Sequence, residues 1–332
     1  MPKESEIISR IKARASTSER VRIGIGDDAA VIKTGEAVDL LACSDLSVEG
    51  VHFRIEWSEA RSIGRKALAV TLSDVAAMGG EARYAMISVA LPPSLSSEFI
   101  DDLFQGFLDI ARDSGVSIVG GDTSASVDHL FIDTAVIGDA QSGRAVTRAG
   151  AQSGDLIYVT GSLGASALGL SLLEQGHRLD SEEGDDHAAR ARREVLIKHL
   201  RPEPRMEAGK AIGAAGLATA MIDISDGLST DLWHILDESR LGAIIHAVEI
   251  PIAESVKLLA LEGALRLALH GGEEYELLFT SPRAFQAKIE EQSRLLSLPI
   301  TLIGEITEGE GLRLERGGAY ETLPPAGYEH MG

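Results

Sequence analysis

Apolar runs of strand length alternate with amphipathic stretches of helical length along most of the chain, and this alternation limits the fold to a few classes. Four runs in the first half have the length and composition of strands, at 39–45, 84–92, 116–121 and 130–140. Helices are predicted between them over 59–80, which ends at a Gly-Gly pair, and over 96–115. The first half is therefore predicted to combine strands with helices in an α/β or α+β arrangement.

A loop rich in glycine and serine at 147–155 separates this series from a second one. After the loop, strands are predicted at 156–161, 220–225, 275–281, 300–306 and 311–316. Helices are predicted at 162–175, on both sides of 201–205, at 226–239 and at 282–293, with the polar segment 181–190 as an exposed connection. The 332 residues suffice for two ordinary domains. We therefore predict an α/β (α+β) protein with an N-terminal domain over 1–148 and a C-terminal domain over 149–332.

The charge and the apolar pattern argue against two kinds of partner. The net charge is −20 and the sequence has no basic stripe for a nucleic-acid backbone. No stretch approaches the roughly 20 uninterrupted apolar residues of a membrane helix. The single cysteine, Cys43, fits a reducing compartment and is expected to be a small buried residue at a strand end. Segment 1–15 lacks an apolar core and predicts an exposed helix rather than a signal peptide, so a cytoplasmic protein is expected.

Acidic residues follow several apolar runs at the ends of predicted strands, where α/β proteins place their ligands. These residues are Asp27, Asp28, Asp45, Asp122, Asp223, Asp226, Glu273 and Glu274. Asp74 differs, because it lies inside a predicted helix among small apolar residues and needs a partner if it is buried. Carboxylates brought together repel one another unless a cation neutralises them, and Mg²⁺ commonly binds carboxylates together with substrate phosphates. The pattern therefore favours a metal site that holds phosphate.

The glycine loop at 24–32 admits two interpretations. Its spacing matches the G-x-G-x-x-G/A pattern of dinucleotide-binding loops. Asp27 and Asp28 lie inside the loop, however, and would repel a pyrophosphate, while the following residues predict a strand rather than a helix. A metal-binding loop is favoured, although any Asp-Gly pair alone is typical of turns and Asp226 alone is typical of a helix cap. The sequence has no P-loop, protein-kinase, G-x-S-x-G, H-E-x-x-H or C-x-x-C motif.

Eight segments between residues 24 and 279 occur in the order of a known family. They are GIGDDAAVI, SDLSVEGVHF, KALAVTLSDVAAMGG, IVGGDT, AVTRAGAQSGDLIYVTG, HLRPEPR, IDISDGLSTDL and GGEEYELLF. Together they closely resemble the thiamine-monophosphate kinase family, whose superfamily includes aminoimidazole ribonucleotide synthetase and selenophosphate synthetase. The resemblance implies a PurM-like fold, in which a mixed-sheet N-terminal domain binds ATP and pairs in a homodimer. An α/β C-terminal domain would complete the active site.

The resemblance also implies a reaction and the residues that serve it. The γ-phosphoryl group of ATP would be transferred to thiamine monophosphate beside a cluster of Mg²⁺ ions, giving thiamine diphosphate. The implied metal ligands are Asp28, Ser44, Asp45, Asp74, Asp122, Asp223 and Asp226. The implied ATP contacts are Gly121, Asp122, Arg148 and Ser225, and the implied substrate contacts are His52 and Glu273. Asp45, Asp74 and Asp122 are expected to be the catalytic residues.

Several roles follow from the chemistry of this reaction. Phosphoryl transfer depends mainly on positioning and charge neutralisation, so Arg148 is expected to present a positive fork to the polyphosphate. The substrate phosphate is itself the nucleophile, so direct transfer without a general base is expected. Glu273 is expected to offset the positive charge of the thiazolium. On the residues alone, an ordinary strand histidine at position 52, a surface arginine at 148 and a turn serine at 225 stay open.

The C-terminal end departs from the family, because the position of the family's tryptophan aligns here with Pro325. Tyr328 offers an aromatic surface from a different place. Two alternative functions also stay open: a related enzyme that uses ATP and Mg²⁺ on another substrate, and a non-catalytic acidic protein that binds divalent cations. The sequence lacks an EF-hand pattern and disperses its acids over both predicted domains, which disfavours the second. Metal affinity that rises when ATP is added would distinguish a kinase from a metal store.

Overall fold

The computed structural model describes residues 8, 12, 13, 19–35, 37–182 and 184–328. The helix predicted over 1–15 lies almost wholly outside these residues. Among the described residues, no helix combines the length and the apolar character needed to cross a bilayer.

The N-terminal half forms a six-stranded mixed sheet with strand order β1-β2-β3-β6-β4-β5. Its strands are β1 Val21–Ile23, β2 Ala30–Lys33, β3 Val38–Val48, β4 Glu81–Leu91, β5 Ser117–Ala125 and β6 Phe131–Gln141. All neighbouring strands run antiparallel except β4 and β5, which run parallel. Two helices share a buried core with one face of this sheet, α1 Ala60–Ala77 and α2 Ser97–Asp113.

Local sequence signals explain where these two helices begin and end. The side chain of Ser96 accepts a hydrogen bond of 3.1 Å from the backbone N–H of Phe99 and thereby caps α2. Helix α1 stops at Gly79, whose φ of 68° lies in the left-handed region that favours glycine. Residues of α1 are almost all buried, because the helix also contacts the second half of the chain.

The C-terminal half forms a seven-stranded sheet with strand order β13-β12-β9-β11-β7-β10-β8, in which only the β12–β9 pair is parallel. Its strands are β7 Leu156–Thr160, β8 Ala220–Asp223, β9 Gly242–His246, β10 Leu277–Ser281, β11 Ile300–Thr307, β12 Gly311–Arg316 and β13 Ala319–Thr322. Its helices are α3 Ala165–Glu174, α4 His187–Leu200, α5 Met206–Ala214, α6 Leu228–Ser239, α7 Glu254–Leu259, α8 Ala264–His270 and α9 Gln286–Leu296. Every residue of β7, β8 and β10 is buried.

The two halves meet where α1 packs against α5. A Cβ atom on Gly209 of α5 would overlap the carbonyl oxygen of Ala76 in α1, so only glycine permits this approach. Ala76 also shares a buried apolar cluster with Ile212 of α5 and Met221 of β8. This packing brings the end of α1 beside the end of β8.

The strands and helices predicted within the described residues are present, and the mixed α/β class with two sheets is confirmed. Three local expectations were wrong. Asp45 and Asp122 lie inside β3 and β5 rather than at strand ends, because both strands continue beyond them. Segment 181–190 is not a simple connection, because α4 begins at His187 and Asp186 caps it by accepting a 2.8 Å hydrogen bond from Ala189 N. Cys43 lies in the middle of β3, half-buried, rather than at a strand end. The boundary predicted after residue 148 falls between β6 and β7 and stays a prediction.

Candidate active site

Three carboxylates converge where the two halves of the chain meet. Asp28 lies in the loop before β2, Asp74 lies near the end of α1, and Asp223 is the last residue of β8. One ligand oxygen from each lies within 4.8 Å of the other two. Asp28 is 8% exposed and Asp223 is 2% exposed, so water screens their mutual repulsion poorly. The sequence separates these residues widely, and tertiary packing brings them together.

Burial, and then mutual repulsion, raise the pKa values of these carboxyl groups. Burial, followed by the charge of Asp28, raises the pKa of Asp223 to about 7. Burial, followed by the charges of Asp45 and Asp223, raises the pKa of Asp74 well above its usual range. Burial and then the neighbouring Asp28 raise the pKa of Asp27 to about 6. These buried carboxyl groups therefore resist ionisation, and a bound cation would stabilise their charged forms.

Arg148 supplies part of the compensating charge. Its Nη2 atom donates a 2.6 Å hydrogen bond to Asp28 Oδ1, and its backbone N–H lies 3.2 Å from Asp27 Oδ2. Burial opposes the charged form of Arg148, but Asp28 and its neighbours keep the arginine pKa above its usual value. Arg148 is therefore not a surface arginine, because its side chain points into the acidic cluster.

The donor set fits a divalent cation. Asp28 Oδ2 and Asp45 Oδ2 are buried and have no hydrogen-bond partner among the described residues. Burial raises the pKa of Asp45, and hydrogen bonds from Thr71 and Asp74 only partly offset this effect. Buried carboxylate oxygens without donors are poorly satisfied in a metal-free protein and are the ligands that Mg²⁺ prefers. Asp28, Asp45, Asp74 and Asp223 therefore form a chemically suitable cation site.

A second group of possible ligands lies at the start of α6. Ligand atoms of Asp226, Asp231 and His234 lie within 4.8 Å of one another. Asp231 is 1% exposed, and its Oδ2 atom accepts hydrogen bonds from the backbone N–H groups of Asp226 and Gly227 at 3.2 and 3.0 Å. Sequence reasoning found Asp226 but missed Asp231 and His234. A carboxylate on the apolar face of a predicted helix was the signal that singled out Asp74, and it applies equally to Asp231.

Asp122 lies apart from the carboxylate cluster of its own chain. Asp122 on β5 pairs with Ser88 on β4. Ser88 in turn pairs with Asp133 on β6, and Asp133 pairs with Leu46 on β3. Three strand spacings, about 14 Å, therefore separate Asp122 from β3. Asp122, Gly121 and Ser44 are all exposed. Their predicted roles stay predictions.

The two predicted substrate residues, His52 and Glu273, lie together around a lysine that sequence reasoning had not selected. Lys66 Nζ lies 2.8 Å from Glu273 Oε1 and donates to the carbonyl oxygen of His52 at 3.4 Å. His199 Nδ1 lies 3.3 Å from Glu273 Oε2. A recess beside these groups is lined by His52, Phe53, Trp57, Lys66 and His199. Its lining combines aromatic rings with the ammonium group of Lys66 and two imidazoles.

The segment that carries Glu273 is attached directly to the metal-site loop. Glu273 N donates a 2.7 Å hydrogen bond to the carbonyl oxygen of Ser225, which lies between Asp223 and Asp226. Glu273 itself has a φ of 59°, an uncommon conformation for a residue other than glycine. Ser225 thus joins the segment of Glu273 to the loop between Asp223 and Asp226.

The C-terminal residues fold back over the same loop. Tyr328 N donates a 3.1 Å hydrogen bond to the carbonyl oxygen of Asp226, and 51% of the Tyr328 side chain is exposed. Pro325 is also exposed. The backbone of Tyr328 therefore lies against the acidic loop.

The raised carboxyl pKa values lead to a testable pH dependence. A group whose folded pKa lies above its unfolded value stabilises the fold at low pH and loses that contribution as pH rises through the folded pKa. For Asp223 the loss runs from about pH 4 to a folded pKa of about 7. We expect metal-free protein to melt about 5–10 °C lower at pH 8 than at pH 5, and Mg²⁺ to reverse most of that loss.

Differential scanning calorimetry with EDTA or Mg²⁺ would measure this effect, with NaCl at matched ionic strength as the control for screening. The Asp74→Asn variant should show a shallower pH dependence, because one of the mutually repelling groups is gone. A melting temperature that is independent of Mg²⁺ at pH 8 would contradict the proposed cation site.

Comparison with known proteins agrees with this architecture. Residues 26–140 match the model of the AIR synthase related protein N-terminal domain, and residues 152–317 match the model of the corresponding C-terminal domain. The fold and the site therefore define a two-domain protein of the AIR synthase-related class. Within that class, the chain belongs to the thiamine-monophosphate kinase family.

Family membership follows from full-length similarity. The chain is 37% identical to the thiamine-monophosphate kinase of Escherichia coli K12 over 331 residues, which cover 99% of this chain and 98% of that protein. It is 35% identical to the Bacillus subtilis enzyme of the same name over 306 residues, covering 92% and 91% of the two chains. The structure of AaThiL complexed with AMPPCP and TMP superposes with a TM-score of 0.84 at 32% identity, covering 99% and 97%.

Proposed function

We propose that this protein transfers the γ-phosphoryl group of ATP to thiamine monophosphate and so makes thiamine diphosphate. The observation that carries the proposal is the convergence of Asp28, Asp74 and Asp223. Glu273 and His52 lie around Lys66, which is on the same helix as Asp74. Full-length relatives named thiamine-monophosphate kinase support it, as does the similar AaThiL structure complexed with AMPPCP and TMP. An acidic protein repels phosphorylated substrates. Cations held by these carboxylates would reverse the local field and allow two such substrates to bind.

The residues divide the work of phosphoryl transfer between them. Asp28, Asp45, Asp74 and Asp223 would hold Mg²⁺, which supplies positive charge to phosphate oxygens. Arg148 lies on the edge of this cluster and offers a planar guanidinium to the polyphosphate. The acceptor is the phosphate of thiamine monophosphate, so the protein needs no base to generate a nucleophile. Its residues position two phosphates in line, and transfer is direct.

The N-terminal sheet supports a homodimer. Exposed apolar side chains occupy the sheet's outer side and its β5 edge: Leu46, Tyr84, Met86, Val119 and Phe131. Uncovered apolar faces and long free edge strands are typical of interfaces. We infer that a second copy covers this surface. Because Asp122 lies on the same surface, away from its own cluster, we infer that Asp122 of the partner subunit completes the site.

We expect Met86→Asp to convert the dimer into a monomer, because it would bury an unpaired charge in the interface. Sedimentation velocity would measure the change in mass. Val248→Asp is the control, because Val248 is 80% exposed in the C-terminal half and should leave the mass unchanged. Wild-type protein that sediments as a monomer at micromolar concentration would overturn the dimer proposal.

The function itself is tested with purified protein, ATP, Mg²⁺ and thiamine monophosphate, followed by chromatographic separation of the products. Formation of thiamine diphosphate supports the proposal. ADP release without thiamine diphosphate would refute this acceptor and favour a related enzyme with another substrate. Calorimetric titration with Mn²⁺ addresses the remaining alternative, because a metal store should show no increase in affinity when a non-hydrolysable ATP analogue is added.

A further inference from the structure

We propose that Lys66 is a positioning residue that orients Glu273 and His52 to recognise the aminopyrimidine ring of thiamine monophosphate. This inference rests on the proposed function and names the part of the substrate that Glu273 and His52 recognise. It assigns a role to a buried lysine that neither the metal site nor phosphoryl transfer requires.

The contacts of Lys66 connect two elements that are distant in sequence. Its residue is 7% exposed, and a buried ammonium group is stable only with a partner. Nζ makes the 2.8 Å ion pair with Glu273 Oε1 and the 3.4 Å hydrogen bond to the carbonyl oxygen of His52. Lys66 therefore contacts both predicted substrate residues at once.

The position of Lys66 on α1 also relates the recess to the metal site. Lys66 and Asp74 lie on the same helix, eight residues or about 12 Å of helix rise apart. One rigid element thus carries a cation-site carboxylate and the lysine that holds the substrate residues. A bound substrate would be aligned with the phosphate site by this helix.

The charges in the recess limit what Glu273 can recognise. Burial would raise the pKa of Glu273, but the charge of Lys66 holds it below its usual value, so Glu273 is ionised. Burial and then the charge of Lys66 lower the pKa of His199 to about 4, so the imidazole is neutral. The Lys66–Glu273 pair therefore has almost no net charge, which makes Glu273 a poor counter-ion for the thiazolium.

The hydrogen-bonding capacity of the pair points to the other ring of the substrate. Each carboxylate oxygen of Glu273 has two lone pairs, and each oxygen has one protein partner described above. The neutral N–H donor of thiamine monophosphate is the exocyclic amino group of its pyrimidine. His52 Nδ1 accepts a 3.0 Å hydrogen bond from Val48 N, so the proton of the neutral ring lies on Nε2. An acceptor from Glu273 and a donor from His52 match the amino group and an adjacent ring nitrogen.

The first test compares steady-state kinetics of wild type and Lys66→Met. We expect the KM for thiamine monophosphate to rise about 10–100-fold, while the KM for ATP changes less than about threefold. Lys66→Arg should also raise the KM for thiamine monophosphate, because a guanidinium cannot occupy the ammonium position. Lys210→Met is the matched control: Lys210 Nζ also lies 2.9 Å from a glutamate, Glu81, but the pair is solvent-exposed and distant from the recess.

The second test compares thiamine monophosphate with oxythiamine monophosphate, in which a carbonyl replaces the amino group. Wild type should prefer the amino compound, Lys66→Met should prefer it less, and Glu273→Gln should lose the preference because an amide can donate as well as accept. The double variant should be no worse than Glu273→Gln alone, since Lys66 acts through Glu273.

If Lys66 had a purely structural role, Lys66→Met would lower the melting temperature. The KM for thiamine monophosphate and the preference for the amino compound would keep their wild-type values. A folded Lys66→Met protein with wild-type KM and preference would overturn the inference, as would effects of Lys66→Met and Glu273→Gln that simply add. These results differ from failure of the proposed function, which would appear as wild-type protein that forms no thiamine diphosphate.

Discussion

Asp74→Asn is expected to lower kcat by about 10³-fold or more while leaving the fold intact. Asp74 lies between Asp45 and Asp223 at the junction of both halves, so an amide there removes the shared charge of the cation site. In metal-free protein the same change removes repulsion within a buried cluster. The melting temperature without Mg²⁺ at pH 8 should therefore stay the same or rise.

This combination of lost activity with retained or increased stability separates a metal-site role from a structural one. The measurements are kcat at saturating substrates and the melting temperature in EDTA. Asp101→Asn is the matched control, because Asp101 is an exposed aspartate on α2 and should change neither quantity. Near-wild-type turnover by Asp74→Asn at limiting Mg²⁺ would rule out this residue as a ligand.

Gly209→Ala should produce the largest loss of stability among single-methyl changes at the contact between the two halves. The added Cβ would overlap the carbonyl oxygen of Ala76, and a backbone oxygen cannot move aside as a side chain would. We expect the free energy of unfolding to fall by about 2–4 kcal/mol and the melting temperature by about 5–15 °C. Activity should fall as well, because the shift would move α1 and Asp74 away from Asp223.

Gly263→Ala provides the control for the added methyl group. Gly263 has a φ of −101°, and a Cβ there would meet no atom within 4 Å. Its melting temperature should remain within about 2 °C of wild type. If Gly209→Ala were as stable and active as Gly263→Ala, the close approach of α1 and α5 would not control the geometry of the site.

Much of the secondary structure was predictable from the sequence, because strands and helices differ in their apolar period and because Gly79 and Ser96 are local stop and start signals. The elements that were missed are short or weakly patterned, such as β9, β13, α7 and α8. They are defined by the neighbours they pair with or pack against. The segment over 181–190 was misassigned because its polar composition hid the cap at Asp186, whose side chain starts α4.

The sequence by itself determined the acidic character of the site and the order of the family's motifs. Only the tertiary structure decided which acids meet: Asp28, Asp74 and Asp223 converge, whereas Asp122 lies three strands from β3. It also decided that Lys66 neutralises Glu273. The apolar period of the sequence indicates which way a side chain points within its own helix or strand. The distance between residues about 50 to 200 positions apart in the chain depends instead on how α1 packs against both sheets.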